Sequence, residues 1–120
     1  MAEIRAVFYD LPDGSCPAAD FIDDLDIKMQ AKVIRTIALL EANGAGLREP
    51  YSKHLEDGIF ELRAKVGTNI SRVMYFFFDG RIAVLTHGFI KKTQKTPPEE
   101  ISRAKRYRRE YLERKGANRK

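Results

Sequence analysis

Apolar residues at the start of the chain change from a strand-like run to a helix-like stripe. IRAVFY at Ile4–Tyr9 is rich in β-branched and aromatic residues, which predicts a short strand. The turn residues DLPDGS follow, and Pro17 then occupies a favourable first helical position. We therefore predict a short helix after the strand, with an apolar stripe formed by Phe21, Ile22 and Leu25.

A second and longer helix is predicted directly after the first. Asp26 is a preferred N-cap residue, and Asn43-Gly44 is typical of a helix C-terminus. Because almost no loop separates the two helices, we expect an antiparallel helical hairpin. Apolar residues spaced three and four apart, together with one glutamine, predict its buried stripe: Ile27, Gln30, Val33, Ile34, Ile37 and Leu40.

Beyond a predicted surface connection at Gly46–Asp57, the hydrophobic period changes to two. Strands are predicted at Gly58–Val66, Ile70–Phe78 and Arg81–His87, with Asp79-Gly80 as the hairpin turn before the last of them. That last strand is apolar on both faces, which favours a central position. The side chains predicted to face the helices are Phe60, Leu62, Ala64, Val73, Tyr75 and Phe77.

Pro97-Pro98 and the two glutamates after it predict the start of a final basic helix. The predicted order is β-α-α-β-β-β-α, an α+β fold with an N-terminal strand and helical hairpin, a small twisted antiparallel sheet and a C-terminal helix. We expect the helices on one side of that sheet. With 120 residues, 43% of them hydrophobic, we predict a single domain over residues 1–116 and a frayed basic tail at 117–120.

Charge is distributed unevenly along the chain. Residues 1–86 contain ten Lys and Arg against thirteen Asp and Glu, net −3, whereas residues 87–120 contain twelve against four, net +8. A basic end suggests an anionic partner, either a nucleic acid or an acidic protein, although a solvated tail would look the same. We expect neither a secretory signal nor a membrane span, and the single cysteine, Cys16, fits a reducing cytoplasm.

Two arginines and three lysines are the candidate phosphate ligands. On the predicted strands, Arg63 and Arg72 project from the face opposite the helices, within reach of one phosphate. The stretch FIKKTQKTP follows the last strand and adds Lys91, Lys92 and Lys95. We predict one concave basic cleft from these five residues. The competing interpretation is two strand arginines that pair with neighbouring acids.

Several chemistries lack support in the sequence. It contains no Gly-rich nucleotide loop, and its two histidines have no Cys or second His at metal-ligand spacing, so we predict no metal and no cofactor. The pattern favours metal-free chemistry on RNA, whose own 2′-hydroxyl can attack the adjacent phosphate. Arg and Lys side chains would then stabilise the charge of the pentavalent intermediate.

Four motifs, in order and at normal spacing, resemble the phage-derived branch of the RelE/HigB toxins of bacterial toxin–antitoxin systems. They are LEDGIFELR at 55–63, SRVMYF at 71–76, HGFIKKTQKTP at 87–97 and the basic helix that begins PPEEI. The resemblance extends to CPAADFIDDL and LLEANG, so it covers nearly the whole chain. It implies a RelE-like fold.

The resemblance also implies an activity and partners. Such toxins are endoribonucleases that cut mRNA, generally on the ribosome, and are neutralised by an adjacently encoded antitoxin, commonly a helix-turn-helix protein. By matching motif, Arg72 would contact the scissile phosphate, and Arg63 would stabilise charge or position the substrate. Lys91 or Lys92 would donate to the leaving 5′-oxygen. Further RNA contacts are expected from Lys95, Arg103 and Arg106.

The general base is the point at which this chain departs from the family. The best-known RelE toxins carry two lysines on the strand that leads into the LR motif, where this chain has Ile59 and Glu61. Glu61 is a chemically suitable base, and His54 is a second candidate. Tyrosines of the last helix are also open as candidates: Tyr107 and Tyr111.

Two other functions fit the same residues. The basic cleft could hold RNA or the ribosome without cutting, since loss of activity on this scaffold would leave nearly the same sequence. Alternatively, a phage-derived interaction domain could use its basic end to dock an acidic protein. The first differs from a nuclease in tolerating a 2′-deoxy substitution at the cut site, and the second would be expected beside virion genes.

Overall fold

The computed structural model describes residues 4–90 and 95–118, and it confirms the predicted α+β class and element order, with one strand added. Five strands form one sheet in the spatial order β1-β5-β4-β3-β2. Strand β1 runs parallel to β5, whereas the other neighbours are antiparallel, so the sheet is mixed and not purely antiparallel as predicted. The elements are β1 Arg5–Phe8, α1 Pro17–Asp23, α2 Ile27–Asn43, a 3₁₀ turn Gly44–Gly46, β2 Ser52–Glu56, β3 Ile59–Val66, β4 Asn69–Phe78, β5 Ile82–Ile90 and α3 Pro98–Asn118.

Strand β2 lies within the stretch that was predicted to be a surface connection. It pairs with β3 through a tight turn in which Asp57 and Gly58 both have positive φ, 52° and 77°. Asp79 and Gly80 repeat this geometry between β4 and β5, with φ of 60° and 69°. Positive φ at both central residues is the requirement of a hairpin turn that matches strand twist. The prediction of a surface connection over Gly46–Asp57 was therefore wrong for Ser52–Glu56, which forms a strand.

Helices cover both faces of the sheet, which corrects the expectation of helices on one side. Helices α1 and α2 pack on the face that carries Leu62, Val73 and Tyr75, as predicted for those side chains. Helix α3 packs on the other face, against Met74 and Phe76. Because the middle of β4 is apolar on both sides, one layer of helices would leave half of this surface in water.

Helix α2 begins after Asp26, whose side chain accepts a hydrogen bond from the Met29 backbone at 2.9 Å, as the sequence predicted. Its buried stripe, however, is rotated from the predicted one. Ile27 is 82% exposed and Ile34 is 54% exposed. The residues that face the core are Met29, Val33, Thr36 and Leu40.

A bulge in β5 sets the orientation of its last residues. Leu85 pairs with Tyr75, but His87 pairs with Met74, so Thr86 is the extra residue in β5. The shift turns His87 toward α3. Gly88 then faces α1, where a Cβ atom would lie 2.3 Å from the Phe21 ring, so the close approach of α1 to β5 requires glycine.

The final helix is the longest element, and it extends to Asn118, into the predicted tail. None of the helices that the structure describes is both long enough and apolar enough to cross a membrane.

Candidate functional site

Arg63 and Arg72 lie directly opposite each other on β3 and β4, on the sheet face away from α1 and α2. This is the face on which the sequence placed them. Their surroundings differ, because Arg72 is only 1% exposed whereas the Arg63 side chain is 20% exposed. The two guanidinium groups therefore form one site with a buried member and an accessible member.

Glu61 is fully buried and joins the two arginines. Its Oε2 accepts a hydrogen bond from Arg63 Nε at 2.6 Å. Its Oε1 accepts from the Thr96 hydroxyl and lies 3.7 Å from Arg72 Nη1. Arg72 Nη1 also lies 3.5 Å from Thr96 Oγ1. Both carboxylate oxygens are thus engaged, as a charge removed from water requires.

The lysine-bearing stretch begins and ends beside this cluster. In the β4–β5 pairing Arg72 lies opposite Phe89, and Ser71 lies opposite Ile90, the last residue of β5. The chain returns at Thr96, which is buried against Glu61. Lys95 is exposed, and the predicted Lys91 and Lys92 lie outside the described residues.

Thr96 is a site residue that the sequence reasoning missed. It lies within FIKKTQKTP, where the three lysines carry the stronger signal for phosphate binding. The Pro97-Pro98 pair that follows could have drawn attention to it, since proline restricts the residue before it to an extended conformation.

His54 lies apart from the arginines. Its ring contacts Phe60, 4.9 Å between centroids, and Phe60 packs with the cluster on the α1 and α2 face. His54 Nε2 also accepts a hydrogen bond from the Gly58 backbone at 3.1 Å. The structure therefore places this candidate base on the opposite face of the sheet from Arg72.

The two candidate tyrosines belong to the packing between α3 and the sheet. Tyr107 stacks on Tyr9 with centroids 4.7 Å apart. Tyr111 packs edge-on against Phe76 and Phe78, and burial raises the pKa of its hydroxyl. A raised pKa lowers the fraction of this hydroxyl that is deprotonated at neutral pH, so Tyr111 is less suited to act as a general base.

His87 ties β5 to the first turn of α3. Its Nε2 lies 3.0 Å from Glu100 Oε1, and its Nδ1 lies 3.1 Å from Thr86 Oγ1. Burial lowers the pKa of His87 to about 4, against the opposing effect of Glu100, so the ring is neutral at pH 7. A neutral ring that carries its proton on Nε2 can donate to Glu100, while the Thr86 hydroxyl donates to the Met74 carbonyl at 3.2 Å.

Part of the positive charge of α3 is paired within the fold. Lys105 contacts Glu56 at 2.5 Å, Arg108 contacts Asp57 at 3.0 Å, and Arg114 contacts Asp10 at 3.1 Å. The predicted RNA-binding residues Arg103 and Arg106 are exposed on the same helix. Arg103 lies 4.0 Å from Glu100, and Arg106 lies over the Tyr107 ring.

The sequence of this chain matches a known protein family. A sequence model described as "Phage derived protein Gp49-like" matches residues 20–109, three quarters of the chain. The chain belongs to the Gp49-like family. This family is one of RelE/ParE-like toxins, so the chain is a member of the phage-derived toxin superfamily. A search of curated proteins finds no significant match.

The Gp49-like match spans every residue of the buried cluster, together with the end of α1, all of α2 and the first half of α3. Membership in a toxin family is consistent with a role in a toxin–antitoxin system and with an antitoxin as partner. Among residues 4–90 and 95–118, no group of three or more His, Cys, Asp or Glu is placed to hold a metal ion. What the site offers is two guanidinium groups held in place by one carboxylate.

Proposed function

We propose that this Gp49-like protein is the toxin of a toxin–antitoxin system, and that it is a metal-independent endoribonuclease of the RelE/HigB type. Its substrate is mRNA, which it cleaves most effectively when the mRNA is held by the ribosome. This cleavage inhibits translation. The observation that supports this proposal is the buried Arg72–Glu61–Thr96 cluster. It fixes Arg63 on one side, and it holds the point at which the chain returns from the lysine-bearing stretch.

Arg63 is the residue we assign to the scissile phosphate. Its Nε is held by Glu61, and among the described residues its two terminal nitrogens have no hydrogen-bond partner. A guanidinium fixed at Nε presents its remaining N–H groups in one plane, which matches two phosphate oxygens. Arg72 was the sequence-based choice for this contact. At 1% exposure Arg72 is better suited to a positioning role.

The reaction we propose needs no cofactor. The 2′-hydroxyl loses its proton to solvent and attacks the adjacent phosphorus, the P–O5′ bond breaks, and the 5′-oxygen takes a proton from Lys91 or Lys92. The products are a 2′,3′-cyclic phosphate and a 5′-hydroxyl. Arg63 stabilises the extra negative charge of the transition state, and loss of one such contact costs about 2.7–4 kcal/mol, or 10²–10³ in rate.

Glu61 acts in this proposal as a positioning residue and not as the general base. A base must reach the 2′-hydroxyl within about 3 Å. Glu61 is fully buried, and both of its oxygens already bind side chains of the cluster. Its role is to orient Arg63 and to retain Thr96.

An antitoxin, expected to be a helix-turn-helix protein encoded next to the toxin, is the proposed regulatory partner. The net charge of +8 in residues 87–120 would attract an acidic partner and accelerate its association.

The test is cleavage of mRNA in a bacterial translation extract, mapped by primer extension. Wild type would be compared with Arg63→Ala, Arg72→Lys and Lys91→Ala/Lys92→Ala, each checked for folding by circular dichroism. Arg72→Lys is chosen because it keeps a cation beside Glu61 Oε1, which alanine would remove. The exposed pair Arg5→Ala/Arg81→Ala is the control for lost charge.

We expect discrete cuts within codons from wild type and from the control, and a loss of at least 10² in rate for Arg63→Ala. A 2′-deoxy nucleotide at the cut site should abolish cleavage. Well-folded wild type that binds RNA and leaves it intact would refute the nuclease and favour a non-catalytic RNA-binding module.

A further inference from the structure

Three adjoining depressions line the molecule between α2 and the far end of β3. Their volumes are about 250, 340 and 410 Å³, and Lys32 contributes to the wall of all three. One of them includes Arg63, the accessible arginine of the candidate site, and another includes Lys28, at the start of α2. Together they form a groove, here called the α2 groove, that leads away from Arg63.

The groove exists because β2 is shorter than β3. The pairing of the two strands reaches Ser52 opposite Leu62, and the Arg63 backbone makes one further hydrogen bond to the Tyr51 carbonyl at 2.8 Å. Beyond that point β3 continues to Val66 without β2 beside it. This open edge allows Arg63 and Lys65 to line the same depression as Lys32, although α2 lies on the other face.

The lining of the α2 groove is cationic with apolar surface between the charges. Among the residues that the structure describes, no Asp or Glu lines the three depressions. Tyr51 is 40% exposed and lines two of them, next to Leu39 in one and Pro50 in the other. The cations that line the groove are Lys28, Lys32, Arg35, Arg63 and Lys65.

We infer that the α2 groove binds single-stranded RNA that flanks the cleavage site, an inference that rests on the proposed function. Proteins bind single strands by combining a row of cations along the backbone with an exposed aromatic ring for a base. Lys32, Arg35 and Lys28 provide the row of cations and Tyr51 provides the ring. Because the groove begins at Arg63, a strand whose phosphate binds Arg63 enters it directly.

RNA is favoured over an acidic protein segment by the position of the groove. An acidic segment could pair with the same cations, but the proposed function already places an RNA phosphate at Arg63, from which the RNA strand continues into the groove. An aromatic ring between cations suits a nucleotide, in which a base and a phosphate alternate at short spacing.

The experiment measures binding of fluorescein-labelled RNA in which every 2′-hydroxyl is methylated, so that no cut can occur. Lengths of 12 and 4 nucleotides would be titrated with the full-length protein at several salt concentrations and followed by anisotropy. The groove variant is Lys32→Ala/Arg35→Ala, outside the proposed catalytic residues. The matched control is Arg5→Ala/Arg81→Ala, which removes two exposed charges at the opposite edge of the sheet.

We expect the groove variant to bind the 12-mer at least tenfold more weakly than the control, with little change for the 4-mer. The slope of log K against log salt should fall by about 1.4, since each phosphate contact on a single strand contributes about 0.7. Tyr51→Ala should weaken binding of the 12-mer without changing that slope, because stacking releases no counterions.

Equal binding of the 12-mer by the groove and control variants would overturn the inference, as would wild type that binds neither length. Loss of binding to a labelled polyglutamate peptide, with RNA binding unchanged, would reassign the groove to an acidic protein. The outcome is separable from the proposed function. If RNA binds in the groove but the protein does not cut RNA, the inference about the groove stands and only the proposed nuclease activity is refuted.

Discussion

The two faces of the central sheet bury different kinds of side chain. Against α1 and α2 the buried residues of the sheet are mainly apolar, among them Leu62, Val73 and Leu85. The opposite face is divided. Under α3 it is apolar, with Met74 and Phe76, whereas next to Thr96 it buries the charged pair of Glu61 and Arg72.

This difference separates residues that stabilise the fold from residues that we assign to function. Burying an ion pair removes two charges from water, and an apolar pair of similar volume is often as stable or more stable. Stability alone therefore gives no reason to place Glu61 and Arg72 where leucine and methionine would pack. Their position beside the lysine-bearing stretch gives a functional reason, under the proposed cleavage of RNA.

The largest effect is expected from breaking the charged pair on one side only. Glu61→Ala leaves Arg72 buried without its carboxylate, so we expect the free energy of unfolding to fall by about 3–5 kcal/mol. Urea unfolding followed by circular dichroism measures it. Arg63 loses the same partner but is partly solvated, which limits its share of the cost.

The double variant Glu61→Leu/Arg72→Met serves as the control for this prediction. It removes both charges and should recover most of the lost stability, while RNA cleavage stays absent. A loss below about 1 kcal/mol for Glu61→Ala would contradict this prediction, because removal of one partner of a buried ion pair is expected to cost about 3–5 kcal/mol.

Most of the fold was predictable from local patterns, and strand β2, which was not predicted, also carries a local signal. Asp79-Gly80 correctly predicted the turn between β4 and β5. The same dipeptide at Asp57-Gly58 also forms a hairpin turn, but the preceding SKHLE lacks the clear alternation that predicts a strand. Strand β2 is an edge strand with four of its five residues not fully buried, so its hydrophobic pattern is weak.

The buried charges could not be predicted from alternation alone. Period two placed Arg63 and Arg72 on the correct face, but it carries no information on how deeply each is covered. The coverage of Arg72 depends on Thr96, which is 24 residues away in sequence, and on the bulge at Thr86 that sets the end of β5. Contacts of this range are properties of the assembled sheet.

On the apolar face, substitutions should reduce stability and spare the chemistry. Leu40 of α2 is fully buried, so Leu40→Ala is expected to lower the free energy of unfolding by about 2–5 kcal/mol. Ile34 lies on the same helix but is mostly exposed, and Ile34→Ala should change it by no more than about 0.5 kcal/mol. Urea unfolding measures both.

This pair also tests the register of α2, which the sequence misjudged. The predicted stripe included Ile27 and Ile34 and omitted Thr36, whose hydroxyl is satisfied by donating to the Lys32 carbonyl at 2.7 Å. That local bond allows a polar residue in the buried stripe. Equal losses of unfolding free energy for Leu40→Ala and Ile34→Ala would instead support the predicted stripe, in which Ile34 is buried. Cleavage per folded molecule should be unchanged in both.

The smallest effect is a pH dependence confined to the α3 face, through His87. Its pKa falls from 6.5 to about 4 on folding, because burial outweighs the attraction of Glu100. Below pH 6.5 the unfolded chain therefore binds the proton first, and stability is lost as the pH falls from 6.5 toward 4. The loss reaches at most about 3 kcal/mol at pH 4 and about 1 kcal/mol near pH 5.5. The unfolding free energy of wild type should fall relative to that of His87→Gln as the pH falls across that range, since glutamine can still donate to Glu100 but does not titrate. Parallel curves for the two proteins would mean that His87 is as easily protonated in the folded chain as in the unfolded one, and that this part of the α3 face admits water.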